Sequence, residues 1–376
     1  MQAKIDKNKL NDFIATFLVV IYIVMCLIYE LKIYGSEFIN QPLIILFGLL
    51  IIFYTLKYTY FKIELHRFSK ISLLFWILIF FILINSFFIR EELLTGAIFN
   101  LLMGTVIGKY LAVNNNISNI ILIPFWFLVI YIISKLLINL DPNQVFIRSR
   151  NYISFFLIIT VLPYYINKIN FHKSFSILPA LITLILCLYS LGRSGIISSF
   201  ILFFTILFFS NFKFKKIIFS GFIISFFTFF VYFFLNFIDG AEFSRIVEIS
   251  NYKDLGGRST IILNYLNNLT FLNFIFGLDT DTYEILNLGG SYFPGHVHSS
   301  ILNFISVVGV GAFIFFKYLF DKSHFFIKKN PALFFLVLSL LLRITTETGM
   351  LFGYFDYVIW TFIFCSNVPN YKFDKK

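Results

Sequence analysis

Long apolar runs are the feature that most constrains this chain. Twelve of them, spread over 376 residues, approach the roughly 20 residues that an α-helix needs to cross a bilayer. Hydrophobic residues make up 59% of the chain and charged residues 13%, whereas soluble proteins are about 45–50% apolar and about 25% charged. This leaves too little polar sequence to cover a soluble surface. The composition therefore excludes a soluble enzyme, a nucleic-acid-binding protein and a secreted disulfide scaffold.

We predict an all-α, polytopic membrane bundle that forms a single domain over residues 1–376. The three cysteines lie inside apolar runs, so they predict neither a disulfide framework nor a metal centre. The predicted spans are 12–31, 41–57, 70–89, 92–113, 117–139, 151–167, 175–191, 195–212, 216–238, 298–319, 331–345 and 348–366.

The distribution of basic residues predicts the orientation of these spans. With a cytoplasmic N-terminus, 20 of the 30 Lys and Arg residues fall on the cytoplasmic side, as the positive-inside rule requires. We therefore expect a multi-pass membrane protein with both termini in the cytoplasm.

Arginine departs from this overall bias. Seven of the eight arginines lie on the predicted outer side, where pairing with outer acidic residues is one explanation. A guanidinium also binds phosphate through two parallel hydrogen bonds, so the set as a whole favours an anionic substrate outside the membrane. The seven are Arg90, Arg148, Arg150, Arg193, Arg245, Arg258 and Arg343.

One long extracytoplasmic loop, residues 239–297, separates the ninth and tenth spans. Loops of this length are usually functional. Its apolar stretch 261–276 carries Asn264, Asn267 and Asn268 on one helical face, which favours an amphipathic helix in the membrane interface. A short re-entrant span is the alternative.

Two histidines, His296 and His298, stand where the chain leaves this loop for the tenth span. Histidine can accept and donate a proton near neutral pH, so His298 is the candidate general base. Together with Asp279 and Asp281 the pair could also form a metal site, but we favour a site without metal or other cofactor.

Helix polarity adds a second source of positive charge on the outer side. Helices that begin there, near Ser194, Ser299 and Thr346, present free N–H groups that favour phosphate. Arg193 lies at the first of these ends, and Arg343 precedes Glu347 near the third. The sequence leaves open whether these helix ends are neighbours.

Several of these segments resemble the O-antigen polymerase (Wzy-type) and O-antigen ligase superfamily. The resemblance covers about residues 190–345 and the late, large outer loop. Ser299 stands where an Asn is common in that family. The matching segments are Leu191-Gly192-Arg193-Ser194-Gly195, Gly257-Arg258-Ser259, Phe276-Gly277, His298-Ser299-Ser300-Ile301-Leu302 and Gly309-Val310-Gly311.

The resemblance implies metal-independent glycosyl transfer from an undecaprenyl-diphosphate-linked oligosaccharide, at a site facing the periplasm. His298, Arg258 and Glu347 would be catalytic, with Glu347 serving as an alternative base or as the carboxylate that orients His298. The groups expected to bind the substrate diphosphate are Arg193, Arg258, Arg245, Arg343 and His296.

A polymerase that extends surface polysaccharide is favoured over a ligase that transfers the glycan to lipid A-core. Its partners would be the lipid-linked donor and acceptor and membrane lipid, together with a chain-length regulator and a flippase. A twelve-span transporter, such as a lipid-linked-oligosaccharide flippase, is the alternative from another functional class. A purely structural membrane protein would leave the outer arginines without a function.

Overall fold

The structure is a computed structural model that describes part of the chain. The described residues are 2–32, 39–58, 65–90, 94–114, 117, 119–138, 145, 151–190, 192–210, 265–267, 269–279, 287–288, 291–292, 299–347 and 349–365. Among them, only the backbone is described for 2–9, 56–58, 65–70, Arg193, 287–288 and 291–292.

The described chain is almost entirely helical. A 3₁₀ turn, Asn119–Leu122, precedes α5, and two-residue strands β1 (Asn287–Leu288) and β2 (Ser291–Tyr292) pair antiparallel in the long loop. The α-helices are α1 (Gln2–Leu31), α2 (Gln41–Tyr58), α3 (Leu65–Phe88), α4 (Thr95–Val113), α5 (Ile123–Ile138), α6 (Asn151–Asn170), α7 (Leu178–Ser190), α8 (Arg193–Phe209), α9 (Phe271–Phe276), α10 (Ser300–Val308), α11 (Gly311–Lys329), α12 (Pro331–Ile344) and α13 (Tyr357–Phe364).

Five of these helical stretches are long and apolar enough to cross a membrane: Leu10–Leu31, Ile71–Phe88, Thr95–Val113, Asn119–Ile138 and Asn151–Asn170. Large apolar side chains on their outer faces are exposed, including Trp76 on α3 and Ile130 on α5. Exposed apolar surface of this extent fits contact with lipid. The protein is a membrane-embedded helical bundle.

Helix α6 is the centre of one half of the bundle. Of its membrane-crossing window, 89% is buried, and it packs against α4, α5, α7, α8, α12 and α13. A helix that is apolar on all sides is stable only where water is excluded, inside a protein core or a membrane. The neighbouring helices α7, α8 and α12 are shorter, at 13, 17 and 14 residues.

Most predicted spans coincide with helices, but two do not. The predicted tenth span, 298–319, is broken between Val308 and Gly311, and its helix continues through 317–329, which was expected to be a cytoplasmic loop. The predicted twelfth span, 348–366, is helical only over Tyr357–Phe364. The predicted ninth span, 216–238, lies outside the described residues.

The apolar stretch of the long loop, predicted as one helix over 261–276, is described in part. Residues 265–267 are helical, Leu269 and Thr270 are not, and α9 then begins after Thr270, whose hydroxyl caps it by accepting from the N–H of Asn273 at 3.2 Å. Phe271 and Leu272 are 76% and 60% exposed. Such exposure fits a lipid-facing position, and the interfacial placement stays a prediction.

Candidate functional site

Arg343, at the end of α12, is the centre of a buried polar cluster. Its side chain is fully buried. Nη1 donates to the hydroxyls of Ser194 and Thr346, the latter at 3.4 Å, and Nη2 donates to the backbone oxygen of Asn151 at 2.9 Å. Nη2 also lies 3.8 Å from a carboxylate oxygen of Glu347. A buried guanidinium is tolerated only with such partners, because an uncompensated buried charge is strongly destabilising.

The starts of α6 and α8 approach each other closely at this cluster. A Cβ on Gly195 would lie 2.1 Å from the hydroxyl of Ser154, and one on Gly192 would lie 2.8 Å from the side-chain oxygen of Asn151. Gly195 is therefore required for the contact, whereas at Gly192 the Asn151 side chain could move aside. The close approach brings Ser194, in the first turn of α8, within reach of Arg343. The predicted helix start near Ser194 is confirmed.

The start of α10 joins the same cluster through Glu347. The hydroxyl and the N–H of Ser300 both donate to the backbone oxygen of Glu347, at 2.6 and 3.0 Å. Ser299 precedes the helix as its N-cap and accepts from the N–H of Leu302 at 3.5 Å. The predicted helix start near Ser299 is confirmed. We call Asn151, Ser194, Ser300, Arg343, Thr346 and Glu347 the Arg343 cluster.

The Arg343 cluster therefore joins four helix ends: the N-terminal ends of α6, α8 and α10 and the C-terminal end of α12. Each N-terminal end carries part of a positive helix dipole. Arg343 adds one positive charge and Glu347, which is 7% exposed, adds one carboxylate. The sequence predicted Arg343, Glu347 and the helix start near Ser194 as parts of a site, and the structure brings these three together.

The segment after the cluster does not start a helix near Thr346, so that prediction is wrong. Leu351 and Phe352 have positive φ angles of 60° and 83°, and the first helical residue is Tyr357. The carboxylate of Asp356 accepts from the N–H groups of Leu351 and Phe352, both at 2.6 Å, and of Gly353 at 3.3 Å. These backbone donors are thereby satisfied without helical hydrogen bonds, by an anion held in a backbone nest.

A second group of contacts fixes the long loop to the bundle. The N–H of Leu278 donates to the backbone oxygen of Ser306 at 2.8 Å, and the N–H of Val310 donates to that of Ile275 at 3.0 Å. The side-chain amide of Asn85 on α3 donates to Phe276 O at 2.8 Å and to Ser306 O at 3.2 Å. We call this group the loop anchor.

Two further contacts support the loop anchor. Arg90 lies 3.6 Å from the carboxylate of Asp279, with side chains 8% and 12% exposed. Tyr265 is 1% exposed, packs beside Leu278, and has its pKa raised by burial, which disfavours a role as a proton donor near neutral pH. Asp279, weighed from the sequence as a metal ligand, thus has an arginine partner.

The remaining predicted site residues lie outside the described part of the chain. These are Arg245, Arg258, His296 and His298, together with the side chain of Arg193. Asp281, the other carboxylate of the metal alternative, lies there as well. Within the described ranges, no group of three or more His, Cys, Asp and Glu side chains is arranged to hold a metal ion.

Sequence reasoning missed several members of both groups of contacts. Asn151 and Asn85 carry no charge and match no catalytic pattern, and Ser300 was named only within a family-matching segment, without a role. Each of the three joins segments distant in sequence. Their signal was positional: Asn151 and Ser300 each occupy the first residue of a helix on the predicted outer side.

In comparisons with known proteins, no protein-family model, curated protein or solved structure matches this chain.

Proposed function

We propose that this protein is a glycosyltransferase of the bacterial inner membrane that polymerises undecaprenyl-diphosphate-linked repeat units on the outer face. The observation that carries the proposal is the convergence of three helix N-terminal ends, Arg343 and Glu347 at one end of the bundle. Such ends stabilise phosphate and developing negative charge.

The reaction is substitution at the anomeric carbon of the donor sugar. A hydroxyl oxygen of the acceptor sugar attacks that carbon, the bond from the carbon to the diphosphate oxygen breaks, and undecaprenyl diphosphate leaves. The hydroxyl proton passes to His298 as general base. His298 precedes Ser300 by two positions, and the hydroxyl of Ser300 donates to the backbone oxygen of Glu347. This backbone contact keeps Glu347 next to the start of α10, which supports its carboxylate as the group that orients the imidazole or replaces it as base.

Arg258 is the principal cation for the leaving diphosphate, because its fork binds two oxygens at once. Arg193, Arg245 and His296 supply further positive groups. Arg343 was expected to bind the diphosphate as well. To do so directly, its guanidinium would have to give up its hydrogen bonds to Ser194 and Asn151 within the buried cluster. We therefore assign Arg343 a positioning role, in which it holds Glu347 and the start of α8.

The test is a gel of surface polysaccharide from the native host after deletion of the gene. Complementation uses the wild type, Arg258→Lys, Arg258→Ala and His298→Ala, with Lys253→Ala as a control in the same loop and membrane protein levels measured for each. If the protein is a polymerase, deletion should collapse the ladder to lipid A-core that bears a single repeat. Only the wild type and Lys253→Ala should then restore the ladder. Core without repeats, with lipid-linked polymer accumulating, would assign the ligase reaction instead.

Transport of a lipid-linked oligosaccharide is the second candidate, and one observation favours it. Two predicted spans are interrupted, at Gly309 and over 349–356, and Asp356 is buried beside the second interruption. Transporters build substrate sites from such broken helices. A test of whether activity requires an ion gradient separates transport from glycosyl transfer, because glycosyl transfer needs neither a proton nor a sodium gradient.

A further inference from the structure

A cavity of about 650 Å³ lies at the opposite end of the bundle from the Arg343 cluster. It is formed where α6, α8 and α11 end and where α7 and α12 begin. Helix α12 has Arg343 near its last residue and the cavity at its first, about 20 Å away for 14 residues at 1.5 Å each. The cavity is therefore separate from the proposed transfer site.

The ionisable residues that line the cavity are all lysine or histidine. His172 and Lys173 come from the turn after α6, and Lys328 and Lys329 come from the last turn of α11. The lining described for this cavity includes no Asp or Glu. This local field favours an anion.

Asn330 points to the same chemistry by an independent observation. It lines the cavity, is 4% exposed, and caps α12 by accepting from the N–H of Leu333 at 3.4 Å. Its side-chain nitrogen is buried without a hydrogen-bond partner. A buried donor in this state costs stability, so an acceptor oxygen supplied by a ligand would explain its retention.

Apart from Ser174, Ser176 and Ser210, the rest of the lining is apolar, which favours an amphiphile over a small soluble anion. Phe175, Ile177, Leu178 and Phe209 border the cavity beside the basic residues. The cavity also lies at the ends of apolar helices, on the side that the lysine distribution assigns to the cytoplasm. Basic pockets between helix ends on this side suit acidic lipid headgroups.

We propose that this cavity binds a phosphate group carried by an acidic phospholipid of the cytoplasmic leaflet. The phosphate accepts from the Asn330 amide and lies near Lys173, Lys328 and the N-terminal ends of α7 and α12. The acyl chains follow the apolar wall into the bilayer. This site is independent of the proposed glycosyl transfer, and its test needs no polysaccharide.

The test measures thermal unfolding of the full chain in neutral detergent with increasing phosphatidylglycerol, phosphatidylcholine or inorganic phosphate. Phosphatidylglycerol is expected to raise the Tm of the wild type, whereas phosphatidylcholine leaves it unchanged. Lys328→Ala should weaken lipid binding, so that the half-saturating concentration of phosphatidylglycerol rises roughly fivefold. The control on the same helix is Lys317→Ala, since Lys317 is exposed, is paired with Asp321 and lies outside the cavity.

Asn330→Asp is the decisive variant. Aspartate caps a helix as well as asparagine does, so α12 keeps its start while a carboxylate replaces the donor in the cavity. The response to phosphatidylglycerol should be lost. Asn330→Ser retains a cap without adding charge and should weaken the response, which guards against an effect of misfolding.

Two results would overturn the proposal. Equal stabilisation of the wild type, Asn330→Asp and Lys328→Ala by phosphatidylglycerol would show that lipid acts elsewhere. An Asn330-dependent response to inorganic phosphate alone, without a further response to phosphatidylglycerol, would assign the cavity to a soluble phosphate and remove the lipid.

Discussion

Gly277 in the long loop and Gly309 in the break between α10 and α11 are in direct backbone contact. A Cβ on Gly309 would lie 2.7 Å from the nitrogen of Gly277 and 2.1 Å from the backbone oxygen of Ile275. Both glycines have positive φ angles, 101° and 51°. The loop is thus fixed to the bundle where the predicted tenth span is interrupted.

Substitution of Gly309 should release this contact. Gly309→Ala introduces both the clash and an unfavourable backbone conformation, so we expect a loss of about 2–3 kcal/mol in the free energy of unfolding. Thermal unfolding in detergent measures it. The control is Gly96→Ala, because a Cβ there would meet only the side chain of Gln41 at 3.9 Å. A Gly309→Ala protein as stable as Gly96→Ala would contradict the contact.

Replacement of Asn85 should loosen the loop locally. Its amide bridges Phe276 O and Ser306 O, and Asn85→Asp places a carboxylate against both acceptors, which costs about 1–3 kcal/mol. Hydrogen exchange of residues 269–279 should accelerate. Asn170→Asp is the control, since Asn170 donates to Ala112 O away from the loop. Equal acceleration in both variants would mean general destabilisation instead of a released anchor.

The buried Arg343–Glu347 pair should show strong coupling in a double-mutant cycle. Arg343→Met alone leaves a buried carboxylate and should cost about 3–5 kcal/mol, while Arg343→Met with Glu347→Gln should cost less. The exposed pair Lys317–Asp321, at 3.9 Å, provides the comparison and should couple by about 0.2–1 kcal/mol. Similar coupling energies for the two pairs would argue against a compact Arg343 cluster.

Asp356 should be required for the non-helical segment before α13. Asp356→Asn replaces one of the oxygens that accept from Leu351, Phe352 and Gly353 by a donor, so we expect a loss of about 1–3 kcal/mol. Asp321→Asn, at an exposed position, should change stability by less than about 0.5 kcal/mol. Thermal unfolding of both variants decides whether the carboxylate holds this backbone.

The sequence predicted the helical class and the helix starts near Ser194 and Ser299 because apolar runs and polar capping residues are local signals. It could not predict the break at Gly309, since the apolar pattern continues through it and the break depends on contact with Ile275. The predicted span 348–366 gave no weight to Gly349 and Gly353, and only the folded chain sets the Asp356 carboxylate against three N–H groups.

Of the candidate site, too, only a part could be predicted from the sequence. Arg343 and Glu347 were singled out by charge at predicted helix ends, and the folded chain pairs them. Their neutral partners Asn151 and Ser300 depend on how α6 and α10 pack, which no local pattern encodes. The roles of Arg193, Arg245, Arg258, His296 and His298 stay predictions.

The most direct test of the proposed polymerisation uses the purified protein in vesicles with undecaprenyl-diphosphate-linked repeat units from the native host. The assay contains a metal chelator and no ion gradient, and its products are separated by size. The wild type should form a ladder of lengthening glycans, and His298→Ala at equal protein content should leave single repeats. Single repeats alone from a folded wild-type protein, or an undiminished ladder from His298→Ala, would contradict the account.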